Sequence, residues 1–358
     1  KQYTQEQLSA PEAQHLAHEI AFAPVVFQVS RLMVKFGILD ALFAHPEGLT
    51  QEEIAQQTHL SPYAVQVLLE ASLSIGTVIV KEDRFLMTKA GWFLLKDDAV
   101  RINMEFIHEV CYQGLFHMEE TLREGKPEGL KVFGNWPTIY EGLSSLPAAA
   151  QEKWFAFDHY YSDNSFAEAL EIVFANPVSK LLDVGGNTGR WALQCVGYNP
   201  EVEVTIMDLP QQLALMQKAT EGKKGAERIK QYPANLLDKH VVFPQGFDVI
   251  WMSQFLDCFS PEQVIHILKR AAQAMDSHTR LYILESYWDR QRHETGAYCL
   301  TQISLYFSVM ANGNSKMYYS QDMICCAEQA GLTIEKIYDD LGKGHSIFVC
   351  QLANNSDK

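Results

Sequence analysis

No run of apolar residues in this 358-residue chain approaches the roughly 20 that a bilayer-crossing helix needs, although 47% of its residues are hydrophobic. A soluble protein without a membrane partner is the expectation. Paired cysteines are missing as well. The seven present (Cys111, Cys195, Cys258, Cys299, Cys325, Cys326 and Cys350) are odd in number and include no C-x-x-C pair. That argues against a disulfide framework and a zinc site and fits a reducing, cytoplasmic location. Positive charge is scarce: 29 Lys and Arg against 44 Asp and Glu leave a formal net charge of −15. Such a chain repels a phosphate backbone, and no basic patch offsets the deficit, so no nucleic-acid partner is expected. Neither His15 with His18 nor His108 with His117 finds a third ligand at recognisable spacing, so no metal is expected. Lys1 to Pro11 lack the pattern of a signal peptide.

The length exceeds what one core usually holds, which points to more than one domain. From Glu12 to Leu42 apolar residues such as Leu16, Ile20, Phe27, Val34 and Ile38 recur at helical spacing, with Pro24 as a kink or boundary. Thr50 with Glu53 reads as a capping box, and Ser61-Pro62 opens a further helix. A hairpin fits Thr77–Val80 and Arg84–Thr88. Helix, turn, helix and hairpin form a winged-helix pattern, often a DNA reader. The helix that would enter the groove, Ser61 to Leu73, contains no Lys or Arg, so packing or dimerisation is the better reading.

Asp97 to Tyr161 is helical and rich in aromatic residues, among them Tyr140, Trp154, Phe157, Tyr160 and Tyr161. Most suit a core, and a minority suit the wall of a ligand pocket. After Asn176-Pro177 strands alternate with helices, the mark of a parallel sheet. Strands fit Lys180–Val184, Glu203–Met207, Phe247–Met252, Arg280–Glu285 and Ser346–Cys350, and a polar tail runs from Asn354 to Lys358. The expected division is 1–110 for dimerisation, 111–176 as a helical linker and pocket region, and 177–358 as a Rossmann-like catalytic domain.

Two local features carry chemistry. The segment Leu181-Leu182-Asp183-Val184-Gly185-Gly186-Asn187-Thr188-Gly189 is a strand entering a glycine-rich turn and then a helix. Such a turn lets a ligand approach the backbone and presents unpaired N–H groups. Asp208 ends the next strand, where a carboxylate can accept both hydroxyls of a ribose. A tight turn without ligand and a helix-capping Asp are the plainer alternatives.

In combination, Asp-Val-Gly-Gly-x-Thr-Gly followed by Asp-Leu-Pro resembles the plant-type, or family 2, S-adenosylmethionine-dependent small-molecule O-methyltransferases. The similarity extends to Gly37-Ile38-Leu39-Asp40-Ala41-Leu42, Leu86-Met87-Thr88-Lys89-Ala90-Gly91, Phe255-Leu256-Asp257-Cys258-Phe259-Ser260 and Glu328-Gln329-Ala330-Gly331-Leu332. It implies a class I α/β Rossmann-like methyltransferase domain preceded by a helical, winged-helix dimerisation domain. A homodimer and a small, aromatic, hydroxyl-bearing substrate are implied too. So are S-adenosylmethionine as cofactor and S-adenosylhomocysteine as product. For the cofactor it implies Asp183, Gly185, Gly186, Gly189, Asp208 and Leu209. The adenine-side Gly-Asp pair of the family falls on Ala234-Asn235, followed by Leu236, and a lysine common near the cofactor falls on Ser253. Phe157 to Ser162 resembles the helix that covers the sulfonium, with Tyr161 and Ser162 as its contacts.

The sequence departs from that family at the base. The usual His-Asp-Trp triplet falls on Asp257-Cys258-Phe259, and of the two glutamates that hold the histidine one matches Glu285 and the other falls on Met317. An ordinary Asp near pKa ~3.9 facing a phenol near ~10 leaves about 6 units, roughly 8 kcal/mol, for full prior deprotonation. Asp257 is a poor substitute unless burial raises its pKa; concerted proton loss or an acidic substrate reduces the demand, and proximity and alignment alone lower the barrier by several kcal/mol. A helix-capping or orienting Asp257 is the alternative, as is a cofactor-binding protein whose reaction is different or lost.

Overall fold

The computed structural model describes residues 3–353, so the polar tail expected over 354–358 lies outside the described residues. The chain divides into two compact units with the boundary between Glu105 and Phe106.

In the first unit one long helix, Ala10–Lys35, is followed by Ile38–Ala44, Gln51–Thr58 and Pro62–Ile75, then by the hairpin β1 (Val78–Lys81) and β2 (Arg84–Met87) and a helix Lys89–Lys96. The long helix continues through Pro24, which corrects the boundary read there. Thr50 and Glu53 form the reciprocal capping box, and the Ser61 side chain accepts from the Ala64 N–H. These caps satisfy N–H groups that a helix start leaves without partners. Met33, Ile38, Leu39, Ile54, Val65, Leu69 and Val78 make the core.

The second unit is built on a seven-stranded sheet. Its strands are β3 (Lys180–Val184), β4 (Glu203–Asp208), β5 (Ile229–Pro233), β6 (Val249–Ser253), β7 (Arg280–Glu285), β8 (Leu332–Leu341) and β9 (His345–Leu352). Their order across the sheet is β5-β4-β3-β6-β7-β9-β8. The sheet is mixed rather than wholly parallel, because β9 runs antiparallel to both β7 and β8.

Alternation along each strand sends side chains to opposite faces. On β3, Leu182 and Val184 join a core with the helices Pro261–Ala274 and Ser320–Gln329. Leu181 joins another with Phe166–Val173, Arg190–Tyr198 and Pro210–Thr220. A third cluster, of Phe106, Val110, Leu130, Ile139, Trp154, Ile303, Tyr306 and Met310, forms a helical cap within this unit. The sheet's strand ends and this cap supply the walls of the site.

Candidate functional site

β3 feeds the turn at Gly185, where φ is +74°, a left-handed conformation that glycine tolerates. A Cβ there would lie 2.2 Å from the Phe255 ring, so packing demands glycine as well. Gly186 is fixed from below: a Cβ would meet Asp183 Oδ2 at 2.6 Å. Asp208 ties the end of β4 to this turn. Its Oδ2 accepts from the Asn187 N–H at 2.9 Å and its Oδ1 from the Leu209 N–H at 2.7 Å. Burial raises its pKa, and the two N–H groups pull it back. Each oxygen keeps further lone-pair capacity, so the arrangement fits a ribose diol.

A cavity of about 540 Å³ opens beside it, within the usual range for small-molecule sites. One part of its wall is made by Gly185, Asn187, Asp208, Leu209, Asn235 and Leu236; another by Trp154, Phe157, Tyr306, Phe307 and Met317 of the helical cap. The aromatic wall is tightly built. Phe106 stacks on Phe157 at 4.1 Å, and the Trp154 indole N–H donates to the Tyr306 hydroxyl at 2.6 Å.

Asp257 stands on this wall, in the short helical turn Leu256–Cys258 that follows β6. It is 7% exposed; the weakly donating Cys258 thiol lies at 3.5 Å, and the backbone N–H groups of Asp257 and Cys258 also favour its ionised form. Burial pushes its carboxyl up to about 6. Glu285, at the end of β7, lies outside the wall. Its Oε1 accepts from the N–H groups of Phe255 and Leu256 at 3.0 and 2.8 Å, which fixes the turn that carries Asp257. Its Oε2 is buried without a hydrogen bond. Burial, and then the neighbouring Asp257, drive its pKa well above the carboxylate range. From the other side, the Asn312 amide donates to the Cys258 carbonyl at 2.8 Å and the Tyr318 hydroxyl to that of Phe259.

Of the residues expected to touch a cofactor, Tyr161, Gly185, Asp208, Leu209, Asn235 and Leu236 are on the cavity wall. Asp183, Gly186, Gly189 and Ser253 are not. Asp183 is buried beneath the turn, with burial and then Asp208 pushing it up to about 8. Gly189 begins the helix Arg190–Tyr198 and packs toward Met216. The wall takes Gln254, one residue beyond Ser253 and at φ +46°, instead. The Ser162 side chain lies outside the described residues. Sequence reasoning missed Gln254, His345 and Asp158, all on the wall. For Asp158 a signal existed: it is a lone acid in an aromatic run, Trp154 to Tyr161.

An O-methyltransferase domain model matches residues 116–332, more than half of the chain. The chain belongs to the O-methyltransferase domain family. A Dimerisation2-like domain model matches residues 14–85 of this methyltransferase. Its cofactor is S-adenosylmethionine, to which the Asp208 and Gly185 geometry is suited. It is 26% identical over 75% of its length to the L-tyrosine C(3)-methyltransferase of Streptomyces lavendulae, covering 73% of that protein. With the 3-amino-4-hydroxybenzoate 4-O-methyltransferase of Streptomyces cremeus it shares 23% identity, over 72% of this chain and 69% of that one. Among solved structures, the apo form of the methyltransferase SibL matches 94% of this chain and 98% of its own with a TM-score of 0.71 and 21% identity. At that identity the likeness shows the fold.

Proposed function

We propose that this enzyme methylates a hydroxyl of a small aromatic molecule held in the 540 Å³ cavity, with Asp257 as general base. The observation that carries the reading is a buried, poorly solvated carboxylate on the wall of an aromatic cavity that also contains a ribose-binding acid. When bound, S-adenosylmethionine supplies an electrophilic methyl group. Asp208 accepts the ribose hydroxyls, Gly185 and its turn hold the methionine part with Asp183, Gly186 and Gly189 as support, and Asn235 hydrogen-bonds the adenine. Tyr161, Leu209 and Leu236 complete that half of the wall, and Ser162 and Ser253 belong to its surroundings. Asp257 takes the proton of the acceptor hydroxyl as the oxygen attacks, and its raised pKa narrows the mismatch with a phenol. Glu285 positions Asp257 through the two backbone N–H groups. The cap aromatics exclude water and align the ring.

A second reading is favoured by the Streptomyces lavendulae relative, named for methylation at a ring carbon. Loss of the phenolic proton also makes the ortho carbon nucleophilic, so one base serves both outcomes. A screen of phenolic acceptors with labelled methyl donor tests both. Product NMR assigns the methyl to oxygen or carbon, and no transfer to any phenol would sink both readings.

The Dimerisation2-like match and exposed apolar residues along the first helix, Ile20, Phe22 and Val25, support a homodimer through the winged-helix-like first unit. Met33 of the same helix is buried in the unit's own core. The three-part division of the chain, a 111–176 pocket region included, and a cytoplasmic location complete the proposal. No single helix among the described residues is long and apolar enough to cross a membrane.

A further inference from the structure

The cavity wall has Glu141, Asp158, Asp208 and Asp257, and no lysine or arginine. Asp208 is engaged by two backbone N–H groups at the glycine turn and serves the cofactor half. Glu141 is exposed at the rim. Asp158 and Asp257 remain, among the aromatic residues of the cap.

Asp158 lies on the helix Ala148–Ser162, one and four residues from Phe157 and Trp154, which share the cavity wall. Its carboxylate accepts no hydrogen bond among the described residues. His159 Nδ1 is 3.7 Å away, but burial and then Arg190 hold that imidazole below its ordinary pKa, so it brings no positive charge at neutral pH. Arg190 is itself hydrogen-bonded to Asp163. Burial first, then the charges of Asp257 and Asp163, push Asp158 up to about 7 against the partial relief of Arg190.

Asp257 is more than nine-tenths buried, and its donors, the Cys258 thiol and the backbone N–H groups of Asp257 and Cys258, bring no positive charge. On the same wall the Tyr140 hydroxyl is buried with no partner beyond the weak Cys258 thiol. Buried polar groups are normally satisfied, and two carboxylates facing one cavity are costly when the one nearby cation named for them, Arg190, is engaged by Asp163; Asp158, 29% exposed, bears less of that cost than Asp257. A ligand cation removes that cost and also gains from the faces of Trp154 and Phe157. An anionic ligand meets only like charge.

We infer that the methyl acceptor is an aromatic amine-bearing hydroxyl compound, a phenolic ammonium in class, whose ammonium group pairs with Asp158 while its hydroxyl faces Asp257. This rests on the methyltransferase reading above and adds the charge of the substrate to it.

The test uses the full chain saturated with S-adenosylhomocysteine, which lacks the sulfonium charge, so that any preference for a cation belongs to the acceptor half. Calorimetry compares tyramine, 4-ethylphenol and 3-(4-hydroxyphenyl)propionate, which share a ring and differ in charge. Tyramine is expected to bind about tenfold or more tighter than 4-ethylphenol, the scale of a charge-assisted hydrogen bond, with the propionate weakest. Asp158→Asn should erase the tyramine preference while keeping S-adenosylhomocysteine affinity, which also shows that the variant is folded. Asp158→Glu should restore part of the preference. Tyramine binding no tighter than 4-ethylphenol, no binding of any of the three at 10 mM (about the weakest affinity worth calling a site), or an undiminished preference in Asp158→Asn overturns the inference. Any of these with S-adenosylhomocysteine bound leaves the methyltransferase reading standing. Failure to bind S-adenosylhomocysteine sinks that reading and this one together.

Discussion

Asp208 and Asp257 both sit on the cavity wall, at or just beyond the carboxyl ends of strands in one sheet, and burial raises both pKa values. Depth of burial separates them: Asp257 is buried and Asp208 only partly so. Asp208 receives two backbone N–H groups at 2.9 and 2.7 Å, which stabilise the ionised form and fix it as an acceptor for hydroxyls. Asp257 is more deeply buried, at 7% exposure; the Cys258 thiol and the backbone N–H groups of Asp257 and Cys258 lower its pKa, yet burial outweighs them and holds it at about 6, near the pH at which a base is useful. The same residue type suits a binding group or a base according to how far it is taken out of water.

The sharpest way to break this comparison is to neutralise each acid in turn. Asp257→Asn should lower turnover about 100-fold or more, the contribution of general-base catalysis, with cofactor affinity unchanged by calorimetry. Full turnover on a confirmed acceptor would reduce Asp257 to an orienting group. Asp208→Ala should do the opposite, weakening cofactor binding by about 1.5 kcal/mol or more, as loss of charge-assisted hydrogen bonds does. Unchanged affinity removes the ribose assignment.

A smaller effect concerns pH. Because Asp257 must be ionised to accept a proton, kcat/KM should fall as pH drops below about 6. Burial and the neighbouring Asp257 hold the Glu285 pKa well above the carboxylate range, so Glu285→Gln, which keeps an oxygen for the two N–H groups, should leave that acid limb in place. Like-charge repulsion from a second carboxylate beside the base is the competing account. Burial is instead the main cause of the Asp257 shift. A limb that moves downward in Glu285→Gln would restore the repulsion account.

The smallest expected effect is on stability. Asp183 is raised in the folded protein to about 8. Its contribution is therefore present below the ordinary carboxylate pKa of about 4 and lost as pH rises toward 8. In Asp183→Asn the decline of Tm across that window should be shallower than in the unchanged protein. An identical slope would show that Asp183 ionises in the folded state as it does unfolded.

Legibility in the sequence followed burial. β3 and β7 were readable to the residue, because central strands are apolar on both faces. The two strands missed, β5 and β8, are the edges of the sheet. Ile229–Pro233 contains Lys230, Gln231 and Pro233, and Leu332–Leu341 contains Glu335, Lys336, Asp339 and Asp340. Polar and charged residues of this sort protect edges and hide the hydrophobic pattern. The antiparallel placement of β9 was likewise out of reach, since its apolar run pairs equally well in either direction.

The sequence by itself determined the glycine turn and the strand-end acid that are proposed to hold the cofactor. The glycine turn and Asp208 lie within one strand-turn-helix-strand unit, where local backbone rules and short spacing dictate geometry. Only the tertiary structure decided the acceptor half, which gathers Tyr140, Asp158, Asp257, Tyr306 and Met317 from separate parts of the chain. It also decided that Asp257 is buried with its pKa raised to about 6, because a carboxyl's pKa depends on the solvent removed and the donors supplied around it, and no local pattern encodes the former.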